Sequence, residues 1–130
     1  MLERWELMAN SIIDIKNILN EYSEDIQEEI TRSAERIAKD GANDLKNTTN
    51  TYHVRTGKYN KGWKTKTQKG RGYVSSTIYN TQYQLTHLLE KGHVTRNGGR
   101  TRAFVHIAPV EQKCIKQYEQ DVERIIKNGG

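Results

Sequence analysis

Apolar residues recur at steps of three and four along the first third of the chain. They extend from Ile12 to Leu45 and form one stripe on a helical wheel. Ser11, followed three residues later by Asp14, is arranged in the manner of a capping box. The pattern predicts one long helix from about Asn10 to Asn47, which Gly41 weakens.

The middle of the chain alternates instead, as half-buried strands do. Trp63, Thr65 and Thr67 alternate with Lys and Gln within residues 62–68, and a second extended segment covers residues 73–79. The intervening Lys-Gly-Arg-Gly suits a turn, so these segments predict a β-hairpin. The preceding residues 48–60 are polar and aperiodic, which indicates a loop.

Towards the end of the chain the pattern returns to helices. A short helix is predicted over residues 81–91, with Gly92 as its stop. Asn97-Gly98-Gly99 predicts a turn between extended pieces at residues 94–96 and 102–107. Pro109 suits the first turn of a final helix that carries apolar residues on one face.

These elements predict an α+β fold. It contains a long N-terminal helix, antiparallel β-hairpins forming a small sheet, a short middle helix and a C-terminal helix packed on the sheet. We expect residues 10–130 to form a single domain and residues 1–9 to be an N-terminal extension, to which no role is assigned.

Composition limits the classes of protein that fit. The chain has 130 residues, of which 34% are hydrophobic, so its core is lean and a partner could complete it. No segment has the roughly 18 apolar residues that span a bilayer. The first ten residues carry acids and lack an uninterrupted apolar segment, so we expect no secretory signal. The polar face of the predicted long helix is acidic rather than basic, so we expect no membrane binding. The single cysteine, Cys114, excludes an intrachain disulfide and predicts a buried structural thiol.

Charge is distributed unevenly along the chain. Residues 1–50 hold 6 Lys/Arg and 11 Asp/Glu, whereas residues 51–108 hold 11 Lys/Arg and one acid, Glu90. One interpretation is a solvated acidic helix beside a solvated basic sheet. The other is a dipolar subunit, whose acidic face meets the basic face of the next copy or whose basic face meets nucleic acid.

Histidines and one carboxylate raise the question of a metal or catalytic site. His87, Glu90, His93 and His106 could be drawn as a metal site, but Gly92 interrupts the helical spacing. His93, Asn97 and His106 superficially follow the order of a His-Asn-His nuclease, although the last histidine falls in a predicted strand. No nucleophile motif is present. We therefore expect hydrogen-bonding or surface histidines, no metal, no cofactor and no enzymatic activity.

Basic residues of the two predicted hairpins are the better candidates for function. Residues 55–73 interleave lysines and arginines with Tyr59, Trp63 and Tyr73, as single-strand binders do, but the strict alternation favours a hairpin with core aromatics. The arginine fork suits a carboxylate or a phosphate. The candidate contacts to a neighbouring subunit or to DNA are Lys64, Lys66, Arg71, Arg96, Arg100 and Arg102.

Three motifs in order resemble a known family. Val54-Arg55-Thr56-Gly57 with Gly62-Trp63 follows the long helix. Ile78-Tyr79-Asn80 with Tyr83 precedes Leu89-Glu90-x-Gly92-His93, and residues 103–109, Ala-Phe-Val-His-Ile-Ala-Pro, precede the last helix. This set is similar to the Hong Kong 97-type gene product 10 family of tailed-phage proteins. His93, Ala103 and Gly62 depart from the family's threonine, proline and serine.

The resemblance implies a structural virion protein of a tailed phage or prophage. Such a subunit forms a ring in head–tail joining or tail completion, can be monomeric when free, and has no enzymatic activity. Its expected partners are other copies of itself, neighbouring phage connector and tail proteins, and double-stranded DNA in the channel. Its expected locations are the head–tail interface of the virion and, during assembly, the host bacterial cytoplasm. The competing hypothesis is a nucleic-acid-binding or metal-dependent nuclease module.

Overall fold

The computed structural model describes residues 13–47, 58–92, 94–103 and 105–129. Within them the chain forms a three-stranded antiparallel sheet with two long helices against one face. In chain order the elements are β1 (Ile13–Ile18), α1 (Glu24–Lys46), α2 (Lys58–Lys61), β2 (Trp63–Gly70), β3 (Tyr73–Asn80), α3 (Tyr83–Lys91) and α4 (Ile107–Gly129). The α+β fold expected from the sequence is confirmed.

The first helix begins later than the periodicity predicts. Residues 13–18 form an edge strand that pairs with β3, with Ile13 opposite Ile78 and Ile18 opposite Tyr73. The prediction of a single helix from Asn10 to Asn47 is therefore wrong in its first part. Ser11 lies outside the described residues, and the N-cap of α1 is Ser23, whose hydroxyl accepts a hydrogen bond from the Ile26 N–H at 3.4 Å.

The strand β3 lies in the centre of the sheet, between β1 and β2. The hairpin β2–β3 places Trp63 opposite Asn80 at one end and Gly70 opposite Tyr73 at the other. Arg71 and Gly72 form the turn, close to the predicted position. Gly72 adopts a φ of +85°, and a Cβ there would overlap the Asn20 side chain, so glycine is required.

The core lies between the sheet and the helices α1 and α4. Its members are apolar side chains of the inner sheet face and of the facing helix stripes, among them Ile15, Ile30, Leu45, Val74 and Tyr118. Cys114 is 2% exposed, which confirms the predicted buried thiol, and burial raises the pKa of that thiol to about 11.

The two long helices approach each other closely near Gly41. A Cβ at this position would lie 2.7 Å from Cys114 Sγ and 2.8 Å from Ile78 Cδ1. Gly41 therefore marks neither a bend nor an end of α1, which continues to Lys46. It is a contact point at which α1, α4 and β3 meet.

The second predicted hairpin is reduced to one bridge. Val94 pairs with Arg100, and the turn between them is held by hydrogen bonds from the Thr95 N–H to the Gly99 carbonyl at 2.8 Å and from the Gly98 N–H to the Thr95 carbonyl at 3.1 Å. The predicted turn is thus confirmed, whereas residues 102–107 form no strand in their described part. The last helix begins at Ile107, two residues before Pro109.

Candidate assembly surface

A partly buried polar junction holds the start of α4 against α3. The Glu90 carboxylate accepts hydrogen bonds from the backbone N–H groups of His106, Ile107 and Ala108 at 2.8, 3.0 and 3.2 Å. The first N–H groups of a helix have no partner within the helix, and the helix dipole favours a negative charge beside them. Glu90 therefore caps α4 from the end of another helix.

His106 extends this junction to the beginning of the hairpin. Its Nδ1 lies 3.0 Å from Glu90 Oε1, and its Nε2 lies 2.8 Å from the Tyr59 hydroxyl. The imidazole is buried and contacts the Tyr59 and Trp63 rings edge-on, with centroids 5.8 and 6.3 Å away. Both ring nitrogens are engaged, so the histidine joins three segments that are distant in sequence.

Asn80 joins the same end of the hairpin to the neighbouring helices. Its side-chain NH₂ donates to the Tyr59 carbonyl at 2.9 Å, and its side-chain oxygen accepts from the Gln82 N–H at 2.7 Å. Gly92 ends α3 with a φ of +72°, and a Cβ there would lie 2.5 Å from the Thr101 carbonyl oxygen. The residues of the family-like motifs that the structure describes, including Asn80, Glu90, Gly92 and His106, therefore have structural roles.

This geometry does not support the metal site or the His-Asn-His nuclease site that the sequence raised. Glu90 and His106 are adjacent, but their polar atoms are engaged by backbone N–H groups and by Tyr59. No cluster of three or more metal-ligating side chains occurs in the described part of the chain. Asn97 lies in an exposed turn, His106 is buried, and His93 lies outside the described residues. The His-Asn-His order is not assembled there.

The six candidate basic residues are all exposed, but they do not form one patch. Lys64 and Lys66 project from β2 on the same face of the sheet. Arg71 lies in the β2–β3 turn, at the opposite end of the hairpin from Trp63. The remaining three, Arg96, Arg100 and Arg102, lie in the loop that connects α3 to α4. The structure therefore divides the candidates among three places.

Lys64 and Lys66 belong to what we call the outer face, the side of the sheet opposite α1 and α4. It consists of alternate residues of the three strands, and their side chains are exposed or half-buried. In two of its rows, Asp14, Thr77 and Lys66 lie side by side, and so do Lys16, Ser75 and Gln68. The members are Asp14, Lys16, Ile18, Lys64, Lys66, Gln68, Gly70, Tyr73, Ser75, Thr77 and Tyr79.

Acidic residues concentrate where α1 begins. Residues 21–29 contain five acids and no Lys or Arg, and all five acids are exposed. The first turns of α1 face the β2–β3 turn across an open groove of about 440 Å³. Residues that line the groove are Glu24, Gln27, Glu28, Thr31, Arg32, Glu35, Lys69, Gly70 and Tyr73. The acidic segment is thus distant from the arginines of the α3–α4 loop, whereas Lys69 lines the groove and Arg71 lies in the turn beside it.

Comparison with protein families identifies a relationship for most of the chain. A model described as "Bacteriophage HK97-gp10, putative tail-component" matches residues 13–92, which is more than half of the chain.

The chain belongs to the HK97-gp10-like family.

Membership places it among the structural tail components of phage virions. No curated protein and no solved structure gives a significant match. No helix in the described ranges is long and apolar enough to cross a bilayer.

Sequence reasoning missed two structural roles. The strand β1 was hidden because its isoleucines also fit a helical stripe. The capping role of Glu90 was missed, although a signal existed: it is the one acid among residues 51–108, and it stands just before a glycine helix stop. An isolated carboxylate in a basic segment is a reasonable candidate for a buried, hydrogen-bonded role.

Proposed function

We propose that this HK97-gp10-like chain is a non-enzymatic subunit that forms a ring at the head–tail interface and acts in head–tail joining or tail completion. The observation that carries the proposal is the family match over residues 13–92. Free subunits, monomeric or oligomeric, would be made in the host bacterial cytoplasm and then join neighbouring connector and tail proteins.

The distribution of charge supports assembly with other copies. The acidic residues 21–29 and the arginine-bearing loop between α3 and α4 are on different parts of the subunit. A ring uses one interface with two different halves, repeated around an axis. Oppositely charged halves would steer the correct orientation and would disfavour contacts between identical surfaces.

Double-stranded DNA is a second proposed contact. Lys64 and Lys66 point away from the core on the outer face, so their ammonium groups are available to phosphates. Such contacts bind without sequence preference and weaken with salt. They suit a channel through which DNA of any sequence must pass.

Negative-stain electron microscopy of the purified protein, alone and with phage tails or capsids, tests the proposal. We expect rings, either free or on the particles. An incubation with DNA and Mg²⁺ or Mn²⁺ provides the enzymatic test, and we expect no cleavage. A protein that remains monomeric in every setting and cuts DNA with a divalent metal would overturn the proposal in favour of a nuclease.

A further inference from the structure

Two surfaces of this chain combine exposed apolar side chains with charge of a single predominant sign. The first, which we call the acidic end, comprises the groove, residues 21–29, Ile18 and Tyr73. Ile18 is 75% exposed and Tyr73 is 46% exposed, and the two are paired across β1 and β3 on the outer face. Exposed apolar residues beside a groove are typical of interaction sites.

The second surface, which we call the arginine loop, consists of residues 94–103 and Val105 in the connection between α3 and α4. Val94 is 62% exposed and Val105 is 53% exposed, and Arg96 and Arg100 lie between them in the chain. Neither arginine forms an ion pair with any described residue. Six large apolar side chains are exposed in the described ranges, and four of them thus lie on these two surfaces.

Ion pairs within the groove leave the acidic end with negative charge in excess. Arg32 pairs with Glu28 at 2.6 Å, and Lys69 pairs with Glu35 at 3.5 Å. Both cations of the groove are therefore matched by carboxylates. Glu24 at its rim has no ion pair among the described residues, and Glu21, Asp25 and Glu29 lie close to it in the chain.

Residues 94–100 of the arginine loop form an ordered, projecting turn. Its bridge between Val94 and Arg100 and the turn hydrogen bonds at Thr95 hold it in one conformation. A Cβ at Gly98 would have no neighbour within 4 Å, so the tip projects into open space. A pre-ordered loop loses little conformational entropy on docking. The groove volume of about 440 Å³ is in the range that admits a small ligand or a few side chains.

The two surfaces lie at opposite ends of the sheet. The groove is lined by Gly70 and Tyr73, beside the β2–β3 turn. The arginine loop is anchored at the other end, where Glu90 binds His106 and the His106 ring contacts Trp63. Since a strand rises about 3.3 Å per residue, these ends are more than about 20 Å apart. One copy cannot readily satisfy its own groove with its own loop.

We propose that the arginine loop of one copy docks in the acidic end of the next copy. Arg96 and Arg100 would contact the carboxylates around Glu24, while the exposed valines would cover Ile18 and Tyr73. This head-to-tail contact rests on the proposed ring function and assigns its interface. The contact uses two different surfaces, so it closes into a ring when the rotation permits.

A charge-swap experiment tests the docking. A groove variant carries Glu24→Arg with Glu28→Arg, and a loop variant carries Arg96→Glu with Arg100→Glu. The groove variant removes the negative excess of the acidic end, and the loop variant places glutamates on the loop against an acidic groove, so we expect at least about a tenfold weaker self-assembly of either variant than of the wild type. In an equal mixture, the glutamates of the variant loop can meet the arginines of the variant groove, and the unchanged loop can meet the unchanged groove. Assembly should therefore be restored, with the two variants alternating. Analytical ultracentrifugation measures both.

Matched control variants exclude a general effect of charge. Glu119→Arg with Glu123→Arg alters exposed residues of α4 and also removes an i,i+4 ion pair, between Glu123 and Lys127. Lys116→Glu with Lys127→Glu reverses two exposed cations of the same helix. Both controls should assemble as the wild type does. Circular dichroism verifies that every variant is folded.

Disulfide capture gives the same test if the free protein is monomeric. Thr31 lines the groove and Asn97 lies in the turn of the arginine loop. A Thr31→Cys, Asn97→Cys double variant, oxidised at high concentration or on phage particles, should form a ladder of dimers, trimers and larger species. A mixture of the two single variants should stop at dimers. Cys114 is buried and should contribute no background.

The outcomes separate this inference from the proposed function. Restored assembly in the mixture, or the ladder, supports head-to-tail docking. Rings that form equally well from either charge-reversed variant, or dimers from either single-cysteine variant alone, would overturn the docking and leave the ring function in place. Absence of rings and of captured oligomers from the wild-type surfaces, free and on phage particles, would overturn both.

Discussion

The buried side of this molecule and its outer face use polar residues in different ways. On the buried side, Glu90 and His106 have their polar atoms matched by named partners, and each contact joins segments distant in sequence. On the outer face, Lys64 and Lys66 project into solvent beside other polar side chains. The first group determines how the chain folds. The second group is available for contacts with a partner molecule.

The largest effect is expected from removing the capping carboxylate. Glu90→Ala would leave three N–H groups at the start of α4 and the buried His106 ring without their acceptor. We expect a loss of about 2–4 kcal/mol in the free energy of unfolding. Urea denaturation followed by circular dichroism measures it. Glu119→Ala, on the exposed side of α4, is the control and should change stability by less than about 0.5 kcal/mol. Equal stability of the two variants would contradict the capping role.

The next effect concerns packing on the buried side. Gly41→Ala would place a methyl group within 3 Å of Cys114 Sγ and Ile78 Cδ1. Overpacking of this kind costs about 1–3 kcal/mol, and we expect thermal unfolding to occur at lower temperature. A second change, Cys114→Ala, removes one of the two clashing atoms. In a double-mutant cycle the two changes should therefore couple favourably, and simple additivity would show that Gly41 is not a contact point.

A smaller, pH-dependent effect is expected at the rim between α1 and α4. Asp121 forms an ion pair with Arg36, accepts from the Ser33 hydroxyl at 2.8 Å and lies 3.4 Å from Arg124. Partial burial opposes ionisation, but the Ser33 and Arg124 hydrogen bonds and the charges of Arg36 and Arg124 lower the pKa of Asp121 below 3.8.

Since the pKa is lower in the folded state, the stabilisation is present above pH 3.8 and is lost as the pH falls through the folded-state value. We expect Asp121→Asn to reduce stability by about 1 kcal/mol at pH 7. The difference from the wild type should shrink in acid. Urea denaturation at pH 7 and at pH 3 measures it, and a difference that persists unchanged in acid would contradict this account.

The smallest effect on stability is expected on the outer face. Lys64→Glu with Lys66→Glu should change the free energy of unfolding by less than about 0.5 kcal/mol, because both side chains are exposed. If these lysines meet DNA, the slope of log affinity against log salt should flatten by about 0.9 for each lost phosphate contact. Filter binding at several salt concentrations measures the slope. An unchanged slope would exclude these lysines as DNA contacts.

Sequence periodicity predicts the hairpin and the three longer helices because these depend on local pattern. Trp63, Thr65 and Thr67 turn inward and Lys64 and Lys66 outward, as their alternation predicts. Periodicity gave the wrong element at residues 13–18 because the spacing of Ile15 and Leu19 satisfies both the helical and the strand period. The strand forms because its partner, β3, is about 60 residues away, and a local pattern carries no record of such pairing.

The candidate site was predictable only in part. Charge counting identifies which residues are basic, and alternation shows that two of them face outward. Neither reveals that the loop of Arg96 and Arg100 is anchored near Trp63, at the end of the hairpin opposite Arg71. That division follows from the three-dimensional path of the chain, and it separates the surfaces on which assembly and DNA contact are proposed.

The Glu90 carboxylate has a further consequence for how this protein can change. It lies just before the loop between α3 and α4 and binds the backbone just after it, so that one side chain clasps both ends of the intervening residues. Lengthening a closed loop adds little entropic cost, because that cost grows only slowly with loop size. Insertions and substitutions at the tip can therefore accumulate while the framework beneath stays intact. The loop can therefore change in length and sequence without loss of the contacts that Glu90 makes.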